Sequence, residues 1–212
     1  ELRELAYMGA SVLHEDAIFP VRTAGIPINI KNTNKPEDAG TMIVSDDHDF
    51  EDESNAYTIT GIAGRKGFST INIEKAMMNS EMGFGMKVLR VLADNNVSFE
   101  HMPSGIDTMS ITVDTNSLNP VREKVLSQLR KEVNPDHLEI EDGIALLAVV
   151  GRRMKNTRGT VARIFASMAH ARINVKMIDQ GSSELNVIIG VSENDLNEAI
   201  RRIYDMFISS EK

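Results

Sequence analysis

Apolar residues along this chain follow a period of two, then one near three and a half, and the whole succession is written twice. Around Gly83 a glycine opens an amphipathic helix, a short polar turn follows, and a strand comes next. The same order returns at Gly159, at an offset of 76 and without a gap. Gly83 falls on Gly159, Lys87 on Arg163, Val88-Leu89 on Ile164-Phe165, Leu92 on Met168, Ala93 on Ala169 and Val97 on Ile173. An internal repeat fixes the architecture before any single element does.

The first unit reads as a strand at 68–74, a helix at 83–95, strands at 97–102 and 108–113, a helix at 120–133 and a short strand at 137–140. Asn119 stands as the cap, with Pro120 at the first helical position. This is the β-α-β-β-α-β plan of ferredoxin-like domains. The second unit gives a strand at 144–150, a helix at 160–171, strands at 174–178 and 184–191, and a helix at 194–207. It lacks a fourth strand, while a surplus strand at 57–63 precedes the first unit. An open sheet position is a liability, so the early strand is expected to complete the later domain. The predicted fold class is α+β, with two ferredoxin-like domains and the first inserted in the second. Gly64-Arg65-Lys66-Gly67 matches no phosphate-binding loop and reads as a turn between two strands. Upstream, 1–44 reads as helix, helix (12–18), strand (26–30), turn and strand (41–44), with too little chain for a core of its own. The predicted boundaries are an α/β remnant at 1–45, an acidic linker at 46–56, one domain at 68–142, and a second at 57–67 plus 143–209.

Composition narrows the function. Of 212 residues 42% are hydrophobic, enough for a core without staples. The net charge of -8 speaks against a nucleic-acid partner, which needs clustered cations. Cysteine is absent, which removes disulfides, thiolate metal sites and cysteine nucleophiles. No apolar run approaches a membrane span. The five histidines show no ligand spacing, and the acidic stretch at 46–56 lacks the glycine and terminal glutamate of a calcium loop. No metal is expected. Asp179 and Glu184 have no nucleophile or cofactor motif beside them, so no catalytic residue is expected either. The chain opens on Glu1 inside an apparent helix and is expected to be part of something longer.

Four strings carry a resemblance: 71–75 (INIEK), 83–89 (GFGMKVL), 98–107 (SFEHMPSGID) and 180–186 (QGSSELN). Together they resemble the C-terminal regulatory part of aspartokinases, which carries paired ACT domains, small ferredoxin-like amino-acid sensors. Upstream, 8–14 (MGASVLH) and 40–43 (GTMI) look like the end of that family's amino-acid-kinase domain. The resemblance implies ATP-dependent phosphorylation of the L-aspartate side-chain carboxylate, toward lysine, threonine and methionine, under feedback inhibition in the cytoplasm. ATP and Mg would serve the full-length enzyme; this chain lacks the nucleotide- and aspartate-binding half and needs no cofactor of its own. A homodimer formed through the ACT domains is implied as well.

A free amino acid presents a carboxylate, an ammonium and a side chain. The helix start at Gly83, Phe84 and Gly85 offers N–H groups to the carboxylate, and the resemblance places the effector there. Ser98, Phe99 and Glu100 lie on the adjoining strand, and Ser104 follows. Glu81, Glu100 and Asp107 are the acids available to a lysine ammonium, and each taken singly also reads as a surface carboxylate. Met78 and Phe84 would line the aliphatic part, or simply belong to the core. In the second unit Asn156, Gln180, Ser182, Ser183 and Glu184 occupy corresponding places, for a subunit contact or a second effector site. Lysine is the expected effector. Threonine, or a role mainly as a dimerisation scaffold, is the alternative.

Overall fold

A computed structural model describes residues 1–9, 20–21, 23–44 and 58–208. The predicted helix at 12–18 and the acidic linker at 46–56 lie outside the described residues. Helix α1 (Leu2–Tyr7) opens the chain, and β1 (Ile28–Ile30) pairs antiparallel with β2 (Thr41–Ile43) in a small separate sheet. The rest is one six-stranded sheet with helices. Its elements are β3 (Gly61–Glu74), α2 (Phe84–Asp94), β4 (Phe99–His101), β5 (Thr108–Asp114), α3 (Thr115–Leu118), α4 (Arg122–Val133), β6 (His137–Val150), α5 (Thr160–His170), β7 (Met177–Asp179), β8 (Asn186–Ser192) and α6 (Leu196–Ile208). The strand order is β4-β5-β3-β6-β8-β7, with every neighbouring pair antiparallel.

Two ferredoxin-like units share that sheet through its two long strands. The C-terminal half of β3 pairs with β5, from Phe68 opposite Asp114 to Glu74 opposite Thr108. Its N-terminal half pairs only with β6, from Gly61 opposite Val150 to Arg65 opposite Leu146. The later half of β6 then pairs with β8, from Ile144 opposite Ser192 to Val150 opposite Asn186. The early strand therefore completes the later unit, as the strand count required.

The sequence reading divided both long strands at their glycines, and the structure corrects this. Residues 64–67 are no turn. β3 runs through them, and β6 runs through Gly143. Between the pairs Arg65–Leu146 and Phe68–Ile144, β3 carries one extra residue; between Phe68–Ile144 and Thr70–Glu141, β6 does. These are β-bulges, where a residue at positive φ lets a strand bend without ending. Gly67 and Gly143 have φ of 95° and 73°, which suits glycine alone at little cost. The helix predicted at 120–133 begins as a 3-10 turn and continues as α4, and the short helix α3 stands before it. Asp114 caps α3 by accepting from Ser117 N at 2.9 Å, a 3-10 turn carries Pro120, and α4 follows. Asn119 accepts from the Arg122 guanidinium at 2.9 Å instead of capping the helix.

Three cores result. Alternate residues of β6 enter different ones: Ala145, Leu147 and Val149 pack under α5 and α6 with Ile164, Ile203 and Phe207. Ile144, Leu146, Ala148 and Val150 point the other way, to Phe68, Ala63, Met177 and Met8. The first unit packs Ile71, Ile73 and Ile111 under α2 and α4, against Val88, Leu92, Val125 and Leu129. A strand buried on both faces reads as a continuous apolar run, which is what residues 144–150 show. Full burial of one such aliphatic side chain contributes about 1.5–3 kcal/mol.

The third core lies on the helix-free faces, and α1 helps to close it. Leu5 and Met8 pack into it. Thr60 Oγ1 donates to Glu1 at 2.7 Å, and Asn186 Nδ2 donates to Glu4 at 2.8 Å. The N-terminal helix is thus docked on the second unit. Among the described residues no helix is long and apolar enough to cross a membrane.

Candidate functional site

Where β3 ends, the backbone is drawn into a tight path held by two carboxylates. Lys75 N donates to the Asp107 carbonyl, Met77 N to Asp107 Oδ1 at 2.8 Å, and Ala76 N to Asp136 Oδ2 at 2.7 Å. Met77 adopts a left-handed φ of 59° there, a 3-10 turn covers Met78–Ser80, and Gly83 begins α2 at φ 77°. Among the described residues no side chain caps this helix. Phe84 N reaches the Glu81 carbonyl, but among the described residues the N–H of Gly85 has no backbone acceptor. Open donors at a helix start favour an anion.

A cleft of about 320 Å³ stands at this point, lined by Met78, Asn79, Glu81, Gly83, Phe84, Gly85, Ser104, Gly105 and Met109. Six of the ten residues expected to hold an effector meet in it: Met78, Glu81, Gly83, Phe84, Gly85 and Ser104. Met78 and Phe84 form its buried floor. Sequence reasoning missed Asn79, Gly105 and Met109. The turn at 78–80 and the isolated bridge between Ser104 and Met109 bring them in, and both depend on the fold rather than on a motif.

Among the described residues Glu81 is the one acid lining the cleft, and it is already paired. Its carboxylate bonds Lys75 and, at 2.7 Å, Lys87. The hydrogen bonds from Lys75 and then Lys87 hold its carboxyl below the usual carboxylate range. Lys75 also lies 5.6 Å from the Phe84 ring centroid and donates to the Val133 carbonyl at 2.6 Å.

The other expected residues do not line the cleft. Ser98 and Phe99 are exposed at the start of β4. Glu100 bonds Arg65 at 3.2 Å and accepts from the Tyr7 hydroxyl. Arg65 in turn lies 4.7 Å from the Phe68 ring centroid and 5.6 Å from that of Tyr7. Glu100 therefore joins β4 to β3 and α1. Asp107 spends a carboxylate oxygen on Met77 N, so it shapes the cleft wall from behind.

The second unit has the same construction. Its cleft, of about 550 Å³, is lined by Met154, Lys155, Asn156, Thr157, Arg158, Gly159, Thr160, Val161, Ala162, Gln180 and Glu184. At the offset of 76, Met78 matches Met154, Asn79 matches Lys155, Glu81 matches Thr157, Gly83 matches Gly159 and Ser104 matches Gln180. Gly159 again starts the helix without a side-chain cap, at φ 83°. Of the residues expected here Asn156, Gln180 and Glu184 line the cleft, while Ser182 and Ser183 do not. The repeat was the signal that pointed to the rest. One cleft follows the end of β3 and the other the end of β6. The two 14-residue strands run antiparallel, so the clefts stand at opposite ends of the pair, about 45 Å apart at full extension.

With this geometry established, comparisons with known proteins fall on one group. The model of the ACT domain family matches residues 147–207. Aspartokinase 3 of Bacillus subtilis is 39% identical over 210 residues, covering 99% of this chain and 45% of that protein. The crystal structure of Clostridium acetobutylicum aspartate kinase, described as an allosteric enzyme, superposes with a TM-score of 0.88 at 51% identity, over 98% of this chain and 46% of that one. E. coli aspartokinase III in complex with lysine and aspartate shares the fold, at 22% identity and a TM-score of 0.70, over 97% and 44% of the respective chains. The chain spans less than half the length of these relatives.

Proposed function

We propose that the first cleft of this chain, in the ACT-domain regulatory region it shares with the aspartokinases, binds a free amino acid as the feedback effector of an enzyme that phosphorylates L-aspartate. The observation that carries this reading is the uncapped start of α2 opening into a cleft with an apolar floor and a polar rim. In this reading the effector carboxylate takes the N–H groups at the start of α2, that of Gly85 among them. The Ser104 hydroxyl faces the ammonium, and the side chain lies over Met78 and Phe84. ATP and Mg belong to the catalytic region of the whole enzyme, and the regulatory regions pair as a homodimer. Effector binding shifts the enzyme between states only by its different affinity for each.

Lysine is the first candidate. Glu81 lies within the cleft, and in this reading an incoming ammonium takes the place of Lys87, the more exposed of its two partners. The bound lysine in the E. coli relative agrees with this choice. Threonine is the second candidate, favoured by the two cations that already neutralise Glu81. Titration calorimetry of the chain with each amino acid tests both. Binding of lysine that is weakened in Glu81→Gln supports the first, and threonine binding unaffected by that change supports the second. No binding of either at millimolar concentration overturns the reading and leaves a dimerisation scaffold.

A further inference from the structure

The chain has 12 methionines and no cysteine, so all its sulfur is thioether. Six are buried, including Met78 and Met109 in the first cleft, at 4% and 6% exposure. Four are exposed: Met82 at 95%, Met77 at 72%, Met86 at 65% and, on β2 of the small separate sheet, Met42 at 52%. The first three do not line the first cleft, but each adjoins in the chain a residue that does: Met77 adjoins Met78, Met82 stands between Glu81 and Gly83, and Met86 follows Gly85. Met77 begins the turn that leads to Met78, and Met82 precedes the helix start. The Met86 methyl lies 3.7 Å from where a Cβ on Gly83 would stand. The second unit does not repeat them. At the offset of 76 their places are taken by Arg153, Arg158 and Ala162, although the floor methionine is kept as Met154. An exposed thioether rim is thus particular to one of two otherwise matching clefts.

We propose that Met77, Met82 and Met86 are an oxidation-sensitive rim, at which a peroxide forms methionine sulfoxide and weakens binding in the first cleft. In each step the thioether sulfur attacks a peroxide oxygen, the O–O bond breaks and an S–O bond forms. The sulfur loses two electrons, hydrogen peroxide is reduced, and water leaves. The product side chain is polar, chiral and a strong acceptor. Beside the open N–H groups of α2 such an acceptor competes with an effector carboxylate for the same donors. The effect on binding rests on the amino-acid reading of the cleft; the order of oxidation does not.

Hydrogen peroxide titration of the chain, followed by peptide mass spectrometry, reads the order directly. Met77, Met82 and Met86 oxidise at least about tenfold faster than Met78 and Met109, since susceptibility follows exposure. Calorimetry on the oxidised chain shows amino-acid affinity reduced by about fivefold or more, the loss of one modest hydrogen bond. Methionine sulfoxide reductase restores it, and the triple variant M77L/M82L/M86L no longer responds to peroxide. The proposal is overturned if the three react no faster than the buried methionines, as they would under a covering second copy. It is equally overturned if they are oxidised and affinity is unchanged. A chain that binds neither lysine nor threonine before peroxide is added defeats the amino-acid reading and the affinity effect together, while the oxidation order still reports on the rim.

Discussion

His101 Nδ1 lies 2.7 Å from Asp179 Oδ2, although β4 and β7 are the two ends of the strand order. The sheet therefore curls until its helix-free faces meet. Thr112 on β5 also reaches the Met177 sulfur on β7, at 3.6 Å, inside the same enclosed space. A double-mutant cycle on His101→Ala and Asp179→Ala measures what this closure contributes. The coupling energy in urea unfolding should be about 0.5–1 kcal/mol. Strict additivity would mean that the pair only marks the closure and does not hold it.

Leu147 is fully buried on β6, between two strands and beneath α5 and α6. Leu147→Ala should cost about 3 kcal/mol, the transfer term plus the cavity left behind. Glu139→Ala, on the exposed part of the same strand, should stay within about 0.5 kcal/mol. Denaturant midpoints of the two variants check the contrast.

Asp142 stands beside the bulge of β6 and accepts from Arg122 and from Ser69, each at 2.6 Å. The Arg122 guanidinium first, and the Ser69 hydroxyl second, hold its carboxyl below the ordinary value. Its contribution is therefore complete above the unfolded-chain pKa of about 3.9. It is lost as pH falls through the lower folded value. The carboxylate is half exposed, so the effect should stay below about 1 kcal/mol. Asp142→Asn should flatten the acid limb of the stability-versus-pH curve without moving the neutral plateau by more than that. An unchanged acid limb would show that the ion pair contributes nothing.

Gly83 and Gly159 begin matching helices at matching left-handed φ. Alanine at either position is strained by about 1–2 kcal/mol whatever the space around it. The two variants should lose similar stability in thermal unfolding. Only Gly83→Ala should weaken amino-acid binding, because only that helix start faces the first cleft. Equal losses of affinity would assign the effector to both clefts.

Much of this was legible in the sequence, because the repeat carries its own register. Gly83 on Gly159 located both helix starts, and the shortage of a strand in the second unit pointed to a donor upstream. The long strands were not legible at their centres. Gly64, Gly67 and Gly143 signal a turn and a bulge equally well, and only the pairing partner decides. The surroundings of the acids were not legible for a related reason. Glu100, Asp107 and Glu81 lie close in sequence, but β4 turns Glu100 toward Arg65 and Tyr7, and Asp107 folds back onto Met77 N. Nothing local in the sequence names Tyr7, which lies 93 residues before Glu100.

Gly67 and Gly143 flank everything that belongs to the first unit, and Phe68 is paired with Ile144 just beyond them. The points where the chain leaves and re-enters the second unit are thus neighbours across one ladder. Both glycines already hold the positive φ that a tight hairpin needs. Excising 68–142 and joining the cut ends would turn two long strands into one ordinary β-hairpin, with the remaining four strands still in order. The architecture has the form of one domain spliced into the hairpin of another like it.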